Sequence, residues 1–166
     1  VTGINGRKGV PMTRFRVMLL VTASVLVSLC ANAMAVDVAI RRAGGQGWGA
    51  TTLYGSMFDP KTVGTVEGVV LSVERFIPLR QMGWGLLVRL ETKTEVISVH
   101  VGPGWFIQDK GFEILRGDRL EVRGSRIVFD GQPAIIATEV KKGGDVLRLR
   151  NDNGVPVWSE AEGESG

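Results

Sequence analysis

His100 is the chain's single histidine, so a Ser-His-Asp triad or a metal centre would have one imidazole to work with. That imidazole could ligate haem, copper or iron together with the Met82 thioether, or with the carboxylates of Asp109 or Glu95, because imidazole and thioether suit these metals. Its setting argues for a duller role. Strand alternation puts His100 on the face opposite Ile97, Val99 and Val101, just before Gly102-Pro103-Gly104. An imidazole there is more often hydrogen-bonded or solvated than metal-bound. A metal role for His100 is therefore the lesser expectation, and no cofactor is expected.

Recognition is the second chemistry on offer. Phe76-Ile77-Pro78-Leu79-Arg80-Gln81-Met82-Gly83, flanked by Arg75 and Trp84, gathers apolar, aromatic and cationic groups in one loop. Arg75, Arg80, Met82 and Trp84, with Trp105 further on, are the candidate ligand-binding residues. The competing reading is that Phe76, Leu79 and Met82 only cap a core. Trp84, Trp105, Trp158 and Phe129 could also stack on bases or sugars, with Arg75, Arg80, Arg89 and Lys93 as a local cationic stripe. In a small domain, however, aromatic side chains more often fill the core, because each buries much apolar area.

Catalytic patterns are missing. Glu67, Glu74, Glu91 and Glu95 are interleaved with Arg75, Arg89 and Lys93, and Glu121 lies between Arg119 and Arg123. This alternation of sign suits cross-strand pairing on a solvated face rather than an acid–base couple. Gly102-Pro103-Gly104 lacks the lysine of a phosphate-binding loop. Arg116-Gly117-Asp118 spells an adhesion tripeptide, but Gly-Asp there reads as the turn before a strand. The chain is expected not to be an enzyme.

The charge balance misleads until the N-terminal segment is set aside. Thr13-Arg14-Phe15-Arg16 begins a basic stretch, residues 17–29 are mainly apolar, and Ala31-Asn32-Ala33 or Ala33-Met34-Ala35 offers a small-x-small cleavage site. Residues 12–35 thus read as a secretory signal peptide within a presequence spanning 1–35. Val1 looks like an alternative start codon, with Met12 as the start of the signal. The apolar run falls short of the roughly 20 residues of a comfortable span, so membrane attachment is expected only if the signal stays uncleaved. Leu29 before Cys30 departs from a lipobox.

Residues 1–35 hold Arg7, Lys8, Arg14 and Arg16 and no acid, so the remainder keeps 16 of the 20 basic residues and all 17 acidic ones, net −1. Residues 61–158 carry 14 basic and 12 acidic residues, far from the concentrated positive field of a backbone-driven nucleic-acid binder. Nucleic acid is disfavoured as a partner. Cys30 is the single cysteine, so the mature chain has neither a disulfide nor a thiolate site. A periplasmic or secreted location is expected.

The elements that must position these residues are short strands. Val69, Leu71 and Val73 alternate with polar or small neighbours, as do Trp84, Leu86, Val88 and Leu90, then Ile97, Val99 and Val101, then Leu120 and Val122, then Ala134, Ile136, Thr138 and Val140. Asp130-Gly131 after Ile127-Val128-Phe129 predicts a two-residue hairpin turn. Asn151-Asp152-Asn153-Gly154 predicts a last hairpin, with Pro156 holding its second strand to an edge. Trp105 to Lys110 could make one short helix. The expected fold is all-β: a five- to seven-stranded barrel with at most one short helix, preceded by a signal-peptide helix. Closure would remove exposed strand edges, and Gly68 would let the first strand coil between two halves of the barrel.

The expected organisation is a Gly-rich leader over 36–61, a barrel over 62–158 and an acidic disordered tail over 159–166. In the leader, Trp48, Tyr54 and Phe58 are expected to latch onto the barrel; the other reading has them waiting for a partner.

Val66-Glu67-Gly68-Val69-Val70, Gly117-Asp118-Arg119-Leu120-Glu121-Val122-Arg123-Gly124, the run 133–140, and Ile97-Ser98-Val99-His100-Val101-Gly102-Pro103-Gly104-Trp105-Phe106 together resemble the OB-fold, in particular small exported bacterial OB-fold-like proteins. The resemblance covers roughly 62–150 and names no substrate. It implies ligands on the face of strands two and three and on the loops joining strands one to two and four to five. Periplasmic haem chaperones are OB-like too, but they carry a His-containing motif beyond the barrel; nothing after Val140 here contains His or Cys, so that comparison supports fold only. The expectation is a non-enzymatic exported binding module for a periplasmic protein or small ligand. The alternatives are an accessory to periplasmic redox, metal or haem chemistry, and single-stranded oligonucleotide binding.

Overall fold

The computed structural model describes residues 47–160. The expected presequence and signal peptide, the first part of the expected Gly-rich leader and the tail beyond Glu160 lie outside the described residues. Six strands follow one another: β1 (Val63–Phe76), β2 (Gly85–Glu91), β3 (Val96–Pro103), β4 (Arg119–Phe129), β5 (Gln132–Lys142) and β6 (Asp145–Arg148). A six-residue helix, α1 (Gly104–Asp109), joins β3 to β4, where the sequence predicted its helical turn. A single further turn, α2 (Val157–Glu160), and two 3₁₀ turns at Gly55–Met57 and Pro60–Thr62 are additional.

Antiparallel ladders run β3–β2–β1–β4–β5–β6, and a parallel pairing of β3 with β5 closes five of the strands into a barrel. That seam is narrow, joining Ser98 to Ala134, Val99 to Ile135 and His100 to Ile136. β6 adds to β5 outside the ring.

β1 serves both halves of the barrel. Val63 to Val69 pair with β4, and Val69 to Phe76 pair with β2. Gly68 sits at this change of partner, so close to the Glu91 carbonyl that a side chain would collide with backbone. The predicted sharp coil is thus made by the residue that permits it. Asp130 and Gly131 both take positive φ (49° and 74°), the requirement of a two-residue hairpin turn, and Phe129 pairs with Gln132 across it.

The alternating apolar residues fill the interior. Val88, Leu90, Ile97, Val99, Val101, Leu120, Val122 and Val140 are buried, each worth about 1.5–3 kcal/mol for leaving water. The first strand departs from expectation: Val69, Leu71 and Val73, like Trp84 and Leu86 at the second, are only half-buried, and Val70 takes the interior place, where the β1–β2 register shifts between Val70 and Ser72. β5 departs from simple alternation: Ala134 to Thr138 are buried in succession. Its neighbour β3 is similarly covered, from Val99 to Gly104 without a break. The extra cover comes from chain segments outside the ring.

One of those segments is the strap at residues 47–58. Trp48 and Tyr54 are completely buried. The Trp48 ring lies on Gly85, and its Nε1 donates to the Gly83 carbonyl at 3.0 Å. The Trp158 indole donates to the Trp48 carbonyl at 3.2 Å, and Phe58 packs on Gly154. Asp59 N then donates to Ser125 Oγ at 3.0 Å where the strap enters β1. The leader's aromatic residues are latched onto the barrel, and the folded unit begins well before residue 62.

The last predicted hairpin is reduced to a single bridge between Arg150 and Pro156. Pro156 has no N–H to give a ladder, and the chain turns helical at the next residue.

Candidate functional site

Arg75 and Trp84 come together at the end of the β1–β2 hairpin. Arg75 pairs with Leu86 in register, and Trp84 directly precedes β2. The guanidinium carbon stands 4.5 Å from the centre of the indole ring, a cation–π contact worth about 0.5–1 kcal/mol at an exposed site. Trp84 is held from behind: its carbonyl accepts from Gly104 N at 3.1 Å, and its ring lies so close to Gly104 that no side chain would fit there.

This pair opens onto a cleft of about 520 Å³ walled by Val73, Leu86, Ile107, Phe112 and Ile114, with Gln108 and Glu113 on its polar side. The volume lies in the range of small-ligand sites. The chemistry is an apolar trough with a guanidinium placed over the indole at one wall. The sequence pointed to Arg75 and Trp84 but missed the opposite wall. Ile107, Phe112 and Ile114 carry no motif, and only α1 and the chain after it bring them to the hairpin.

Arg80 and Met82 face elsewhere. They line a separate hollow of about 490 Å³ with Gly47, Thr52, Leu53, Tyr54, Leu79 and Gln81, and no residue lines both. The split originates in a turn: Met82 N donates to the Leu79 carbonyl at 3.1 Å, and Gln81 takes φ 70°, as the third residue of a type II turn must. Met82 packs on Gly47 of the strap. The single recognition surface expected of this loop is therefore two surfaces.

Trp105 lines neither hollow. It is half-buried, edge-on to Phe106 at 5.8 Å, and its Nε1 is buried without a hydrogen-bond partner. Trp158 is buried against Phe106, and Phe129 packs on His100, so the four aromatic residues considered for stacking do not form one platform. The outward charges do pair, with partners other than those expected: Glu121 on β4 with Lys141 on β5, Glu139 with Lys141 along β5, and Glu95, just before β3, with Arg126 on β4.

His100 is 2% exposed, not solvated. Its ring contacts Phe76 at 4.6 Å, Phe129 at 4.8 Å and Tyr54 at 6.0 Å, and its Nδ1 shares a 2.9 Å hydrogen bond with the Tyr54 hydroxyl. Burial pushes the imidazole down to about 4 and the Tyr54 phenol up, so both are neutral at physiological pH. Among the described residues no three His, Cys, Asp or Glu side chains gather as a metal site. The two readings of the residue that the sequence raised, metal ligand and hydrogen-bonded histidine, meet here in a geometry that displays the second.

The family model of the MamS/MamX magnetosome protein family matches residues 62–147. The chain belongs to this family. The MamS/MamX match takes in all five barrel strands, α1, the cleft and most of β6. It leaves out the strap with Trp48 and Tyr54 and the segment 148–159, which pack on the barrel from outside. No curated protein matches the sequence.

Proposed function

We propose that this MamS/MamX family protein is a non-enzymatic, exported binding module that serves the magnetosome by recognising a protein partner or small ligand through the Arg75–Trp84 cleft. The observation that carries the reading is the stacked guanidinium at the edge of an apolar trough. A cation held on an indole ring loses little freedom when it takes an acceptor, and the walls supply apolar area beside it. Ring order supports an OB-like reading of the barrel: β1–β2–β3–β5–β4 with the helix between β3 and β4. The β1–β2 loop, from which Trp84 leads into β2, is where OB-like barrels take ligands. Export follows from the signal-like residues 12–35.

Immobilised mature protein is to be exposed to a periplasmic extract, comparing wild type with Arg75→Glu, Trp84→Ala and Arg80→Glu. Loss of a captured species in the first two, with retention in Arg80→Glu and unchanged melting temperatures, is the expected result. Equal capture by wild type and both cleft variants would reject the cleft as the recognition site.

A further inference from the structure

Arg150 is 6% exposed, and among the described residues it is the buried side chain that carries a full charge. The ion pairs of the described residues employ Arg123, Arg126, Lys141, Lys142 and Arg148. Arg150 enters none of them. Its guanidinium lies over the Trp158 ring at 5.0 Å, and Nη1 donates to the Gly154 carbonyl at 3.3 Å. Nε is buried, with no hydrogen-bond partner among the described residues. Of the five donors of a guanidinium, one is engaged, at the long end of the hydrogen-bond range.

Arginine is almost never buried without an anion, because a charge taken from water is costly unless paired and hydrogen-bonded. The indole face offers polarisable area but no acceptor for an N–H. The titratable neighbour that acts on Arg150 is Tyr54, whose hydroxyl is committed to His100 and neutral. Among the described residues the cation and its aromatic seat are present and no counter-charge faces them. The cover is a polar turn, Asn151 to Gly154, held by Gly154 N on the Asn151 carbonyl and by the Asn151 side chain accepting from Asn153 N and Val155 N, all at 3.0 Å. Asn151, Asp152 and Asn153 are exposed, so this turn lies between Arg150 and solvent.

We propose that Arg150, seated on Trp158 beneath the Asn151–Gly154 turn, is the receptor for a small oxyanion, a carboxylate or a phosphate group, bound through its unused Nε–H edge. Two oxygens of a carboxylate or of a phosphate group match that edge with two parallel N–H bonds, which a spherical halide does not reproduce.

The test uses the mature protein with ¹⁵N-labelled arginine. Sodium acetate and sodium phosphate are titrated separately at an ionic strength held with sodium chloride, and the Nε–H resonance of Arg150 is assigned by its loss in Arg150→Lys. The expected result is a saturable shift of that resonance and a rise of several degrees in melting temperature that levels off at the same anion concentration and is absent in Arg150→Met. A response to acetate alone assigns a carboxylate ligand, and a response to phosphate alone assigns a phosphate group; either sustains the proposal. A resonance that stays fixed in both titrations overturns it, as does an equal thermal response in wild type and Arg150→Met. Should Arg150→Met fail to fold, the resonance titration of the wild type decides by itself.

Discussion

The Tyr54 hydroxyl meets His100 Nδ1 at 2.9 Å across 46 residues of chain. The bond ties the strap to β3 at the residue that pairs with Ile136 in the barrel's closing seam. It lies inside a ring of Trp48, Phe76 and Phe129, where an unpaired polar atom would be costly.

Acid is expected to weaken the fold through His100. Its folded value of about 4 lies below the ordinary 6.5, so the unfolded chain binds the proton first. The stabilising effect is complete above about pH 6.5, shrinks as pH falls, and is gone below about 4, with a ceiling of about 3 kcal/mol. Urea unfolding between pH 8 and 4 should show this loss in wild type and a flatter profile in His100→Gln. Parallel profiles would remove His100 as its source.

Tyr54→Phe keeps the ring and deletes the hydroxyl, leaving Nδ1 of a buried imidazole unsatisfied. The expected cost is about 1–3 kcal/mol, read as a lower urea midpoint with an unchanged slope. A midpoint equal to wild type would mean that the hydrogen bond contributes nothing.

Trp48→Ala empties a fully buried site against Gly85 and Phe76. A loss of about 3–5 kcal/mol is expected, and a chain begun at residue 60 should be less stable still. If that shortened chain melts at the wild-type temperature, the strap is not part of the folding unit.

Gly68→Ala forces a methyl group against the Glu91 carbonyl and Leu90. Rigid backbone has little room to yield, so a loss of about 1–3 kcal/mol is expected. Gly64→Ala in the same strand meets nothing within contact distance and is the control. Similar losses for both would place the effect in strand propensity rather than in the close approach.

Much of the barrel was legible because its signals are local. Val88 and Leu90, or Leu120 and Val122, announce a buried face by alternation alone, and Asp130-Gly131 announces its own turn. The strap lacked such a signal. Tyr54 and His100 belong to segments with no shared period, and their meeting depends on the completed barrel. The same holds for the cleft, whose Arg75 wall stood out by composition while Ile107, Phe112 and Ile114 read as ordinary apolar residues. Arg150 was hidden for the opposite reason: next to Asn151 and Asp152 it looks like one more polar turn residue, and only the packing of Trp158 and of the turn through Gly154 takes it from water.

The strap also sets an order of assembly. Trp48 lies 110 residues from the indole that hydrogen-bonds its carbonyl, and its seat is unfinished until Trp158 has been made. The earliest described stretch to leave a ribosome therefore completes its contacts only with the latest. Contacts of such long separation slow folding, so the strap's docking is expected among the last steps of assembly.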